Sequence, residues 1–205
     1  MDAMLSKIRS AIRSSIVDFG PGTALEKAIK KTHILDDVST QAHISKLIAL
    51  LAKSINAKTI IETGTFRGLT SANLAVENPD AEIYTFEYDG RNAAEAKGLF
   101  RKMKFRNVHL IEGDVLVELP KLAKKLKKID VLFVDDSKKN YRKNFEAVLP
   151  KLKVGGVVAA HDTSLDILGE THTKKFKECL LKRKDFSVIE VDREDRGLTI
   201  AQRVK

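Results

Sequence analysis

A chain of 205 residues is long enough to bury a full core unaided, and its lone cysteine, Cys179, excludes intramolecular disulfides and cysteine-rich zinc sites. Its 37 Lys and Arg against 28 Asp and Glu leave a net charge of +9, which favours acidic partners, nucleic acid among them. No apolar run approaches the roughly 20 residues that span a bilayer and no hydrophobic segment opens the chain, so a soluble, cytoplasmic protein without a membrane partner is expected.

Residues Met4 to Phe19 place Leu5, Ile8, Ile12 and Ile16 on one face of an amphipathic helix, with Lys7, Arg9 and Arg13 elsewhere on the turn. Its Arg- and Ser-rich, acid-poor makeup also suits a transit peptide. A cover for the core, or for a second copy of the chain in a homodimer, is the preferred reading. Phe19-Gly20-Pro21-Gly22 breaks the chain, and a second helix follows around Ala24 to Lys31. A third, over Gln41 to Lys53, carries Ile44, Leu47, Ile48 and Leu51 at helical spacing. Residues 1–57 therefore read as a helical extension packed on one globular unit formed by 58–205.

From Lys58 onward short apolar runs alternate with longer amphipathic segments, the pattern of a parallel sheet with crossover helices in an α/β fold. Strands are expected over Thr59 to Glu62, Glu82 to Glu87, Val108 to Glu112, Ile129 to Val134, Gly156 to Ala160, Phe186 to Val191 and Gly197 to Arg203. The segment Asp192 to Gly197 supplies a hairpin turn. Lysines gather at Lys121 to Lys128, Lys138 to Lys153 and Lys174 to Lys184, largely at the polar positions of helical segments. They read as solvated helix faces rather than as a nucleic-acid surface.

The segment Thr59 to Ser71 runs from a buried strand through a glycine turn into a helix, the form of a nucleotide pocket. Gly64 lets the backbone turn and approach a ligand, and Gly68 lets the next helix pack closely on the strand. The amide dipoles at the helix N-terminus favour a ligand carboxylate, and Thr70 adds a hydroxyl on the same turn. The second strand ends Glu87-Tyr88-Asp89, about 20 residues further on, where dinucleotide folds place an acid on ribose hydroxyls. The third ends Glu112-Gly113-Asp114, with Asp114 placed to cap the helix that follows. The fourth ends Val134-Asp135-Asp136-Ser137-Lys138-Lys139-Asn140-Tyr141, and the fifth Ala160-His161-Asp162-Thr163.

Glu62-x-Gly64-x-x-x-Gly68 resembles the first motif of class I S-adenosylmethionine-dependent methyltransferases. Asp135, Lys138 and Tyr141 resemble the catechol and caffeoyl-coenzyme A O-methyltransferase group, and the likeness runs from about Lys58 to Val204. It implies a doubly wound, seven-stranded Rossmann-like sheet whose last strand is antiparallel, and an enzyme that methylates a small hydroxylated acceptor. It further implies that S-adenosylmethionine is bound by Glu62, Gly64, Phe66, Gly68, Thr70, Glu87, Tyr88, Asp114 and Asp135, with Glu87 on the ribose, Tyr88 on the adenine face and Asp114 at its amine. In that group the Asp after the fourth strand is a metal ligand, and the Lys three residues later acts as base on the acceptor hydroxyl.

At the fifth strand the chain departs from the group, whose metal-dependent members carry Asp-Asn or Asp-Asp where this sequence has His161-Asp162. Asp135, His161 and Asp162 suit a facial site for a divalent metal of the manganese, iron or zinc kind. They equally suit a metal-free acid-base group in which a carboxylate orients His161. Catalysis is accordingly expected from Lys138, His161 and Asp135. The other histidines, His33, His43, His109 and His172, show no ligand spacing, although Val38 to His43 precedes the glycine turn in a region that often closes over the cosubstrate.

Other functions meet specific obstacles. Phe66 stands where a nicotinamide dehydrogenase needs its middle glycine. An RNA methyltransferase would keep the cosubstrate site and use the basic surface, but no Asn/Asp-Pro-Pro-aromatic segment for amino-methylation of bases is present. A non-catalytic nucleotide-binding protein on the same fold is the remaining alternative.

Overall fold

A computed structural model describes residues 40, 42–164, 171–191 and 196–205. The helices expected at Met4 to Phe19 and Ala24 to Lys31, His33, and most of the 192–197 turn lie outside them. The described residues form six α-helices and seven strands. In chain order these are α1 (Ala42–Ser54), β1 (Thr59–Thr63), α2 (Leu69–Glu77), β2 (Glu82–Glu87), α3 (Gly90–Met103), β3 (Val108–Glu112), α4 (Val115–Lys125), β4 (Ile129–Val134), α5 (Tyr141–Val148), β5 (Leu152–His161), α6 (Thr171–Leu181), β6 (Phe186–Val191) and β7 (Leu198–Arg203). A single 3₁₀ turn at Lys138–Asn140 leads into α5. No helix among the described residues is long and apolar enough to cross a membrane.

The strands make one sheet in the order β3-β2-β1-β4-β5-β7-β6. All neighbours pair in parallel except β7, which runs antiparallel to both β5 and β6. Every residue of β4 is buried, as a central strand covered on both faces requires. Alternate residues serve the two faces. Ile60, Val131, Phe133 and Ala159 pack beneath α1 and α2, whereas Ile61, Leu132, Val134, Val158 and Ala160 pack against α4, α5 and α6. The lysines at Lys121, Lys124, Lys125, Lys127 and Lys128 are exposed, while Leu119 and Ala123 of α4 face the core.

One boundary moved. β5 begins at Leu152, four residues before its expected start, because Gly155-Gly156 forms an irregularity within the strand rather than a turn before it. Ile129 pairs with Leu152, yet Val131 pairs with Val157, and Gly155 takes a φ of +82°. The strand order reverses between β1 and β4, and in open α/β sheets ligands bind at the carboxyl ends of strands that flank such a reversal.

Candidate active site

A cavity of about 530 Å³ opens at the carboxyl ends of β1, β2 and β4. Gly64 and Phe66 line it from the turn after β1, Thr70 from the first turn of α2, Glu87 and Tyr88 from the end of β2, Asp114 from the start of α4, and Asp135 from the end of β4. Segments far apart in sequence thus meet at one wall because the parallel sheet brings all these strand ends to one edge.

Glu87 is held in place by the backbone. Its Oε2 accepts the Phe66 amide at 2.7 Å and its Oε1 accepts the Asp89 amide at 2.8 Å. Each carboxylate oxygen retains a further lone pair, the requirement for gripping a vicinal diol. Phe66 adopts a positive φ of 49°, which turns its amide toward Glu87. Tyr88 stands 82% exposed at the rim, a flat apolar surface beside the opening. Asp114 caps α4, its Oδ1 accepting the Leu116 amide at 2.9 Å, while also lining the cavity.

Glu62 and Gly68 stand behind the wall rather than on it. Glu62 is fully buried, and one of its oxygens accepts the hydroxyls of both Ser71 and Thr85. Thr85 in turn lies 2.6 Å from the hydroxyl of Thr65, which does face the cavity. Burial pushes the Glu62 carboxyl up to about 8, against the pull of those two hydrogen bonds, and the charges of Asp135 and Glu87 add to the rise. Gly68, with a φ of +90°, makes room for Phe100 and Ala96 of α3 rather than for the strand. Gly64, at φ +91°, makes room for β4, since a Cβ there would meet the Asp135 carbonyl oxygen at 2.5 Å.

Beyond the cavity's Asp135 edge sits a compact charged cluster. His161 Nδ1 lies 3.2 Å from Asp135 Oδ1 and 3.4 Å from Asp162 Oδ1. The Lys138 ammonium lies 2.7 Å from Asp162 Oδ2 and 3.5 Å from Asp135 Oδ1. Burial works to raise the Asp135 carboxyl, but the hydrogen bond and charge of His161, the charge of Lys138 and the Thr40 hydroxyl together hold it below the usual range. Asp162 adopts a φ of 54°, a conformation that Asp tolerates better than most residues. Tyr141, the third member of the Asp-Lys-Tyr pattern, is a strut. It is fully buried, donates to the His161 carbonyl at 2.9 Å and carries the Lys138 ammonium 5.3 Å above its ring.

Three participants escaped the sequence reading. Thr40 donates to Asp135 from the segment before α1, within the Val38 to His43 stretch noted for its position alone. Asp136 lines the cavity and accepts hydrogen bonds from Thr63, Asn140 and Asn144, while burial pushes its carboxyl up. Arg196 brings Nη1 to 3.8 Å from Asp162 Oδ1. No local spacing signals Arg196, because its place follows from the insertion of β7 beside β5.

Asp135, His161 and Asp162 each offer one ligand atom within 4.8 Å of the others, a set open to a cation. The space between the two carboxylates is spanned by Lys138. With Arg196 beside Asp162, the two carboxylates already have two basic side chains near them, and a divalent ion would add two more charges beside an ammonium 2.7 Å from one of its ligands. The cluster as built therefore fits a divalent metal poorly.

The family model described as O-methyltransferase matches residues 23–192. Caffeoyl-CoA O-methyltransferase 2 of Petunia hybrida is 29% identical over 147 residues, covering 67% of this chain and 59% of the relative. Catechol O-methyltransferase of Niastella koreensis is 29% identical over 142 residues, covering 67% of this chain and 64% of the relative. The chain thus spans less than two thirds of the length of these curated relatives. Among solved structures, the O-methyltransferase TomG of Streptomyces achromogenes, involved in tomaymycin synthesis and determined in complex with SAM, is 27% identical with a TM-score of 0.82, covering 97% of this chain and 96% of that one.

Proposed function

Since the chain belongs to the O-methyltransferase family, we propose that it transfers the methyl group of S-adenosylmethionine to a hydroxyl of a small acceptor. The observation that carries this reading is Asp135, which belongs both to the wall of the cavity and to the charged cluster beyond it. A donor bound in the cavity with its ribose on Glu87 would present its reactive end at that shared residue.

Each residue then has a task. Glu87, fixed by two amides, takes the ribose hydroxyls, and the N-terminus of α2 with Thr70 takes the carboxylate. Tyr88 covers the base, and Asp114 accepts from its amine. The bound sulfonium supplies an in-line displacement in which an O–C bond forms, a C–S bond breaks and the electron pair leaves on sulfur. Lys138, paired at 2.7 Å with Asp162, steadies the negative charge developing on the acceptor oxygen. His161, oriented by its Nδ1 contact with Asp135 at 3.2 Å, is the group assigned to accept the hydroxyl proton.

Calorimetry with S-adenosylhomocysteine tests the cavity assignment. Glu87→Ala loses a charge-assisted pair of hydrogen bonds and should weaken binding by about 2 kcal/mol or more, roughly thirtyfold. Unchanged affinity removes Glu87 from the ribose. Transfer of label from S-adenosylmethionine to a panel of catechols tests the reaction, with none expected after His161→Ala.

A further inference from the structure

We propose that the Lys138 ammonium stands in for a divalent metal between Asp135 and Asp162, so that methyl transfer by this chain is metal-independent. The inference rests on the methyltransferase reading for its chemistry, but its geometry is independent of that reading.

Four observations converge. The ammonium lies within ion-pair distance of both carboxylates, at 2.7 and 3.5 Å, in the place where two hard oxygen donors would share a cation. The side chain is held there, being 19% exposed and resting over the ring of the buried Tyr141. The third donor is an imidazole whose Nδ1 is already hydrogen-bonded to Asp135 Oδ1 at 3.2 Å, so that it pairs with one carboxylate instead of joining both around an ion. Finally, Arg196 approaches Asp162 from the β7 side. Its main chain is tied there by backbone hydrogen bonds, Thr163 donating to the Gly197 carbonyl at 3.2 Å and Ser164 to that of Arg196 at 2.8 Å. Charge is thereby balanced from within the chain.

The chemical work follows. A divalent ion in such a site would lower the acceptor's proton affinity by placing positive charge near its oxygen. An ammonium does so with one charge and three N–H donors, held by charge between the two carboxylates. The proton leaves through His161, so no hydroxide or metal-bound species enters the reaction.

The decisive experiment is a calorimetric titration of the chelator-treated full chain with Mn²⁺ and Mg²⁺, paired with methyl transfer in the presence and absence of EDTA. The wild type should show no saturable binding below millimolar ion and less than about a twofold change in rate with EDTA. Lys138→Met, which removes the ammonium and leaves the carboxylates, should bind Mn²⁺ at least about tenfold more tightly than the wild type. S-adenosylhomocysteine binding by the same variant reports that it is folded, and Lys138→Arg, which keeps a cation, should bind the metal as weakly as the wild type. Micromolar Mn²⁺ binding by the wild type, loss of transfer in EDTA with recovery in Mg²⁺, or a folded Lys138→Met without gain in metal affinity would each overturn the proposal. Absence of S-adenosylhomocysteine binding by the wild type would instead overturn the methyltransferase reading, and the metal titration would still decide the role of Lys138.

Discussion

Glu62 illustrates how far a side chain's surroundings can carry it from its role in a motif. It sits behind the cavity wall, where burial raises its carboxyl from 4.5 to about 8. The folded chain therefore holds a proton at Glu62 that the unfolded chain has released, throughout the interval between those two values. Stability from this group is complete below 4.5 and declines as pH rises toward 8, because the unfolded state binds fewer protons across that interval. Glu62→Gln keeps a neutral hydrogen-bonding group of similar shape. Its melting temperature should fall less than that of the wild type between about pH 5 and about pH 8, and parallel curves would mean that Glu62 ionises normally. The identity of Glu62 was legible in the glycine motif, but its neutrality was not. That depends on Ser71 and Thr85 converging on one oxygen and on the sheet closing over it, neither of which a spacing records.

At the scale of elements, α5 and β5 are joined by the hydrogen bond from Tyr141 to the His161 carbonyl. Tyr141→Phe removes this bond at a residue, His161, that is only 2% exposed. The expected cost is about 1–2 kcal/mol in urea unfolding, together with a lower kcat at unchanged KM for the methyl donor, since the loss falls on His161 and not on Glu87. A stability loss with kcat intact would confine Tyr141 to packing. The bounds of β2, β3, β4 and β6 were readable from apolar runs, most plainly in β4, a central parallel strand buried along its whole length. β5 was misjudged at its start for a physical reason: a glycine pair that ordinarily marks a turn here relieves a mismatch of register against β4. The site divides along the same line. Glu87 and Asp135 end strands and could be placed on the cavity edge from the topology, whereas Thr40 and Arg196 join it through tertiary contacts alone.

For the molecule as a whole, the question is where the foldable unit begins. We propose that it includes α1, so that a boundary at residue 58 would cut through the core. Ile44 and Ile48 are 2% and 1% exposed and pack with Ile60, Ile83, Val131 and Phe133. Burying these two side chains contributes about 3–6 kcal/mol, comparable to the whole stability of an ordinary domain at about 5–15 kcal/mol. A chain lacking residues 1–57 should show no cooperative unfolding transition in urea, and a sharp one would establish residues 58–205 as self-sufficient.

The insertion of β7 between β5 and β6 also sets an order of events during synthesis. β6 leaves the ribosome before β7, but among the described residues it has no neighbour in the sheet other than β7. It must wait for β7 before it can dock. The strands that frame the cavity are all made earlier, while Arg196 comes just before β7. The wall lined by Gly64, Glu87 and Asp135 is thus complete in the chain well before Arg196 can reach Asp162, so the cavity and the charged cluster beside it are finished at different moments.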